Sequence, residues 1–291
     1  MTIENLTCSA LSAVDEPLPG TAAHVKGWLC VEHPGAWGRD VLDDAVLGRN
    51  LSIELARRTA AADVRLMLIR RVGRTVPITH RTVLLANSRP SQSWCERMTI
   101  TSLDQLLEID LGRLGGPAPG IGAAVEAPPV LVCVHGKRDQ CCARLGRPIA
   151  AALAQRFPAA VWECSHTGGH RFAPSMILLP SGYTYGRLDI ERSGDVVKAA
   201  HGGEVSIDGL RGRSCYSAVG QAAEVAVRQT VLAGADDLTV IESSADPVVV
   251  HRDGRRWAVK VTTEPLAPRP ASCGAVLKPG EAVVVESVRE L

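Results

Sequence analysis

Two ligand-bearing runs, Cys133-Val-His-Gly-Lys-Arg-Asp-Gln-Cys-Cys142 and His166-Thr-Gly-Gly-His170, lie near the middle of the chain, the second beginning 24 positions after the first ends. Each follows a short apolar segment of strand type and contains glycine, so the donors lie in strand-end loops. Any fold that lets them meet must place those two loops side by side. Two thiols and two imidazoles suit iron-sulfur or zinc chemistry. A two-iron, two-sulfide core needs its ligands in pairs on neighbouring loops, because one loop cannot wrap it. Gly168 and Gly169 argue against a regular helix between the two histidines and allow a tight turn that aims both rings inward.

The residues alone leave alternatives open. Cys141 and Cys142 are adjacent, and spacing does not choose between them. Cys133-Val-His135 and Cys164-Ser-His166 are two Cys-x-His pairs at strand ends, and residues i and i+2 of a strand share a face, so a Rieske-like or zinc site built from those four is a competing geometry. Read without a metal, the same residues are core thiols and solvated loop histidines. The remaining cysteines, Cys8, Cys30, Cys95, Cys215 and Cys273, read most simply as small buried hydrophobes.

The surrounding pattern is α/β. Gly27–Glu32, Val64–Ile69 and Thr82–Ala86 read as strands, Leu51–Thr59 as a helix, and Ser102–Leu107 as the start of another. The stretch Gly115–Gly122, dense in Gly and Pro, reads as a linker. It divides the chain into an N-terminal α/β lobe over 1–120 and a second unit over 121–291. In that unit Val130–Val134 is a strand, and Arg147-Pro148 opens a helix with Ile149, Leu153 and Phe157 on one face. Ala160–Trp162 is a second strand. Met176–Leu179 and Tyr183–Tyr185 form a hairpin, and a helix runs from Gly194 to about His201. Strand, helix, strand, hairpin, helix is the order of a thioredoxin-like module. Two thioredoxin-like lobes fit the alternation. The tail adds a helix over Gln221–Leu232, a strand at Leu238–Ile241 and a hairpin turning at Asp253-Gly254.

These segments resemble the sucrase/ferredoxin-like family. Gly27-Trp-Leu-Cys-Val-Glu-His-Pro-Gly-Ala-Trp-Gly38 is similar to its N-terminal signature, and Cys133 through Tyr185 to its core. Thioredoxin-like ferredoxins with four cysteines carry a long-spaced Cys pair and then Cys-x3-Cys before a hairpin; here His-x3-His stands in the second place. The resemblance implies a [2Fe-2S] cluster held by Cys133, Cys142, His166 and His170, Cys142 being chosen by the family's spacing. It implies a thioredoxin-like ferredoxin domain extended by a C-terminal helix and β-hairpin. It also implies a non-enzymatic electron carrier served by a reductase and an acceptor protein. With two neutral histidine donors the potential should lie above that of all-cysteine ferredoxins. The alternatives of other classes are a structural zinc protein, a cluster-based redox sensor and a thioredoxin-like thiol oxidoreductase. The last is weakened by the lack of any Cys-x-x-Cys.

Composition excludes other classes. A formal charge of +1 over 291 residues gives no global reason to expect nucleic acid. No apolar run approaches the roughly 20 residues that span a bilayer, and residues 1–13 lack the pattern of a signal peptide, so no membrane partner and a cytoplasmic location are expected. Nine cysteines, an odd number scattered over a long chain, do not form a secreted disulfide framework. Four of them, Cys133, Cys141, Cys142 and Cys164, fall within 32 residues. Neither a dinucleotide fingerprint nor a P-loop is present. Lys137, Arg138 and Arg171 put positive charge near the ligand runs, fit either to greet an acidic redox partner or simply to be solvated. Trp28, Trp37 and Trp94 read as core of the N-terminal lobe.

Overall fold

A computed structural model describes residues 7–42, 46–73, 77–243 and 246–291. Ten strands form one continuous sheet in the order β10-β9-β8-β6-β7-β2-β1-β3-β4-β5. Its first half comprises β1 (Gly27–Glu32), β2 (Val64–Arg70), β3 (Arg81–Asn87), β4 (Trp94–Ile100) and the two-residue β5 (Ala123–Ala124). The second comprises β6 (Val130–Cys133), β7 (Val161–Cys164), β8 (Ser175–Leu178), β9 (Tyr183–Gly186) and β10 (Leu210–Arg213).

The halves repeat one topology. In the first, β1 pairs parallel with β2 and antiparallel with β3, which pairs with β4. In the second, β6 pairs parallel with β7 and antiparallel with β8, which pairs with β9. That is the thioredoxin-like arrangement in both lobes. The lobes meet where β2 and β7 run antiparallel, with Ile69 opposite Cys164 and Arg70 opposite Glu163. Arg70 closes this seam with a 2.7 Å ion pair to Glu163.

Alternation sorts the strand residues between two buried faces. Leu29, Val31, Val130 and Val132 join the larger core with helices α2 (Arg49–Ala62), α3 (Gln140–Arg156) and α4 (Ile190–His201). Trp28, Cys30, Leu131 and Cys133 face the other way, into a cluster with Met67, Ile69, Trp162 and Cys164. Cys133 thus ends a fully buried strand on the face away from the helices' aliphatic stripe.

The helix predicted to open at Arg147-Pro148 begins at Gln140 instead. Asp139 caps it by accepting the Cys141 amide at 2.8 Å, and this cap outweighs the two breakers inside, Gly146 and Pro148. Gly146 has a packing reason: a Cβ there would lie 2.1 Å from the carbonyl oxygen of Cys133, so only glycine lets α3 approach the end of β6. The helix predicted from Ser102 is a single 3₁₀ stretch, Leu103–Glu108. Within the segment read as a linker, the amides of Gly120, Ile121 and Gly122 all donate to the buried Glu96 carboxylate at 2.8–3.1 Å, which fixes its course.

The tail forms a second sheet, β11 (Leu238–Ile241), β12 (Val248–His251), β13 (Arg256–Pro270) and β14 (Leu277–Glu290). Helix α5 (Ala218–Arg228) packs against it through Ala223 and Val227. Strands β13 and β14 run far beyond the hairpin predicted to turn at Asp253-Gly254, because four prolines in 265–279 hide their pattern. Its far end reaches a short N-terminal helix, α1 (Cys8–Asp15), where Arg269 pairs with Asp15 at 2.9 Å.

Candidate metal centre

The four residues of the two ligand runs come together at the ends of β6 and β7. Cys133 terminates β6, and Cys142 is the third residue of α3. Donor atoms of Cys133, Cys142 and His166 lie within 4.8 Å of one another. His170 joins them from the following turn: its Nδ1 is 3.7 Å from Cys142 Sγ, and its ring stacks on that of His166 with centroids 3.9 Å apart. Gly168 and Gly169 between the histidines have φ of +95° and +71°, the left-handed region that side chains rarely adopt. A 3₁₀ turn, His170–Phe172, then brings the second ring back over the first.

Helix geometry separates the adjacent cysteines. Neighbours on an α-helix point about 100° apart. Cys142 turns toward Cys133 and His170, while Cys141 turns away toward Cys8 and Cys273.

The competing Cys-x-His geometry does not assemble. His135 Nε2 is 2.6 Å from the Gly38 carbonyl, which only accepts, and Nδ1 is 3.2 Å from the His166 amide, which only donates. The ring is therefore the Nε2–H tautomer with both nitrogens engaged by backbone. Cys164 sits beside Cys133 across the parallel strand pair but is packed in the apolar cluster, and burial pushes its thiol up.

Electrostatics favour a cation here. A hydrogen bond from Cys142 holds the Cys133 thiol well below its usual range against the opposing effect of burial, with His166 assisting. Cys142 is correspondingly pushed up by that bond and by burial. Burial, then the adjacent His166, push the His170 imidazole down to about 4, leaving it a neutral donor. A fully buried thiol with its pKa drawn down, flanked by a second thiol and two imidazoles, is an environment that a soft or borderline metal satisfies.

A second set of residues holds the histidine loop. Arg65 on β2 donates to the His166 carbonyl at 2.9 Å. Arg211 on β10, fully buried, donates to Gly168 O and Ser175 Oγ, each at 3.1 Å, and to the Thr21 carbonyl. Nothing in local spacing marks Arg65 or Arg211, since their partners lie 101 and 43 residues away. Asp139 was missed too, although an Asp directly before Gln140 is a signal for a helix N-cap. On the open side, half-buried His166 lines a cavity of about 320 Å³ shared with Arg39, Arg65, Arg138 and Asp40.

The sequence model of the sucrase/ferredoxin-like family matches residues 18–212. The chain belongs to the sucrase/ferredoxin-like family. The match takes in both thioredoxin-like lobes and all four residues of the centre, and leaves out α1, α5 and the tail sheet. No curated protein and no solved structure matches the chain. Among the described residues, no helix is long and apolar enough to cross a membrane.

Proposed function

We propose that this sucrase/ferredoxin-like chain is a one-electron carrier whose [2Fe-2S] cluster is held by Cys133, Cys142, His166 and His170. The observation that carries the reading is the convergence of two thiols and two stacked imidazoles from two neighbouring loops, with Cys142 Sγ 3.7 Å from His170 Nδ1. This donor set fits the group: paired ligands on two loops, all brought to one place, with the Cys133 thiol already drawn toward its ionised form. When bound, the cluster supplies reversible uptake of a single electron at a potential raised by its neutral donors, roughly −150 to +300 mV in Rieske centres against about −400 mV in plant-type ferredoxins.

The chain's own residues do the rest. Cys133 and Cys142 are buried and exclude water from the sulfur side, whereas His166 and His170 are only half-buried and provide the route outward. That route opens beside Arg39, Arg65 and Arg138, which suits an acidic face on a reductase or acceptor. Four protein donors leave no open position for a substrate, which supports a carrier rather than an enzyme.

The test is the visible absorption and EPR of anaerobically purified protein before and after dithionite, with iron and zinc measured on the same sample. The reading predicts a brown protein with two irons and a reduced signal of low average g. A colourless protein retaining zinc at these residues would contradict it and leave a structural site.

A further inference from the structure

Cys141, turned away from the first centre, enters a second group of donors drawn from three distant segments. Cys8 comes from α1, Cys273 from the loop joining β13 to β14, and Asp139 from the N-cap of α3. The sulfur atoms of Cys141 and Cys273 are 3.2 Å apart, those of Cys8 and Cys273 3.5 Å, and those of Cys8 and Cys141 3.7 Å. Asp139 Oδ2 is 3.7 Å from Cys8 Sγ. A tetrahedral zinc bound to thiolates at about 2.3 Å sets its sulfurs about 3.8 Å apart. The three sulfurs therefore already form a triangle of nearly the required size, contracted by a few tenths of an ångström, and an Asp139 oxygen lies within 4.8 Å of all of them.

Cys8, Cys141 and Asp139 are buried. Among the described residues, Ala173 is the one buried apolar neighbour clustered with the thiols, too little to account for three cysteines as core. The Asp139 carboxylate accepts the amides of Cys141 and Cys273 at 2.8 and 2.7 Å, with no lysine or arginine paired to it among the described residues. A buried carboxylate held by two amides among three thiols, with no basic side chain among those residues paired to it, offers a cation four donors at one place.

We propose that Cys8, Cys141, Cys273 and Asp139 form a tetrahedral zinc site. Bound there, with release of the thiol protons, zinc staples α1 and the hairpin tip to the N-terminus of α3, the helix that presents Cys142. Cys8 and Cys273 lie outside residues 18–212, so the staple is an addition to the family core. Its position suits a rigid cover: α1 is also tied down by Glu16, which pairs with Arg171 at 2.8 Å directly after His170. Thiolate donors select zinc over magnesium or calcium, and a closed four-ligand shell marks a structural rather than a catalytic ion.

The full-length protein, purified without chelator, would be assayed for zinc and iron together and then exchanged with cobalt. The proposal predicts one zinc per chain and tetrahedral thiolate–cobalt bands. Both should be lost in the Cys8→Ala/Cys273→Ala double variant and kept in His170→Ala. Zinc retained by the double variant but lost in His170→Ala would place the ion at the first centre and overturn the proposal. So would a zinc-free wild type, whether mass spectrometry finds a Cys141–Cys273 disulfide or three freely alkylated thiols. Iron and colour are read separately on the same samples, so loss of the carrier reading leaves this one standing, and the reverse.

Discussion

The ring of His135 accepts the backbone amide of His166 at 3.2 Å while donating to Gly38 O at 2.6 Å, so the N-terminal lobe reaches the metal-centre loop through one imidazole. Trp37 packs edge-on against that ring at 5.8 Å. His135→Ala removes both hydrogen bonds and leaves the His166 amide unpaired, a loss of about 1–3 kcal/mol. The expected outcome is a folded, coloured protein that loses its chromophore several-fold faster than wild type under mild urea. Unchanged cluster lifetime would show that the ring does not position the loop.

Gly146→Ala should destabilise the protein, although alanine is ordinarily better in a helix by about 1 kcal/mol. The added methyl would meet the Cys133 carbonyl at 2.1 Å and push α3 off β6. Overpacking of this kind costs about 1–3 kcal/mol and moves Cys142 away from Cys133. A lowered melting temperature together with reduced iron content is the predicted result, read by calorimetry and metal analysis.

Arg211 is pushed down to about 9 by burial and then by Arg171 and Arg187, so it stays charged at neutral pH beneath the histidine loop. A fixed positive charge favours the more negative, reduced state. Arg211→Gln should lower the reduction potential by about 1 kcal/mol, on the order of 40 mV for one electron. Arg211→Lys, which keeps the charge, should lower it less. Potentiometric titration of both variants measures the difference.

Glu224 binds Tyr183 Oη at 2.6 Å and Arg228 at 2.9 Å, all three side chains being buried where β9 meets α5. Glu224→Ala strands a buried guanidinium and should cost about 3–5 kcal/mol. The loss should appear in denaturant unfolding, with the visible spectrum of the folded protein unchanged.

Local patterns carried much of this fold. Strands β1, β2, β3, β6 and β8 announce themselves as apolar runs, and the order strand, helix, strand, hairpin in the second half was enough to recognise a thioredoxin-like unit. The N-terminal lobe's matching topology was only suggested, because β4, Trp94–Ile100, mixes charged and apolar residues. The start of α3 was misplaced because Pro148 imitates a first-turn proline, while the signal that won was the cap at Asp139. The meeting of Cys8, Cys141 and Cys273 had no local trace: the partners lie more than 130 residues apart, and only the long hairpin carries Cys273 back. Which way two adjacent cysteines turn depends on where their helix begins, so that too needed the cap.

The central claim, a cluster with two imidazole donors, is tested most directly by pulsed EPR of the dithionite-reduced protein. The account predicts hyperfine coupling to two histidine nitrogens, one lost in His166→Cys and the other in His170→Cys. A reduced cluster with no coupled imidazole nitrogen would contradict it.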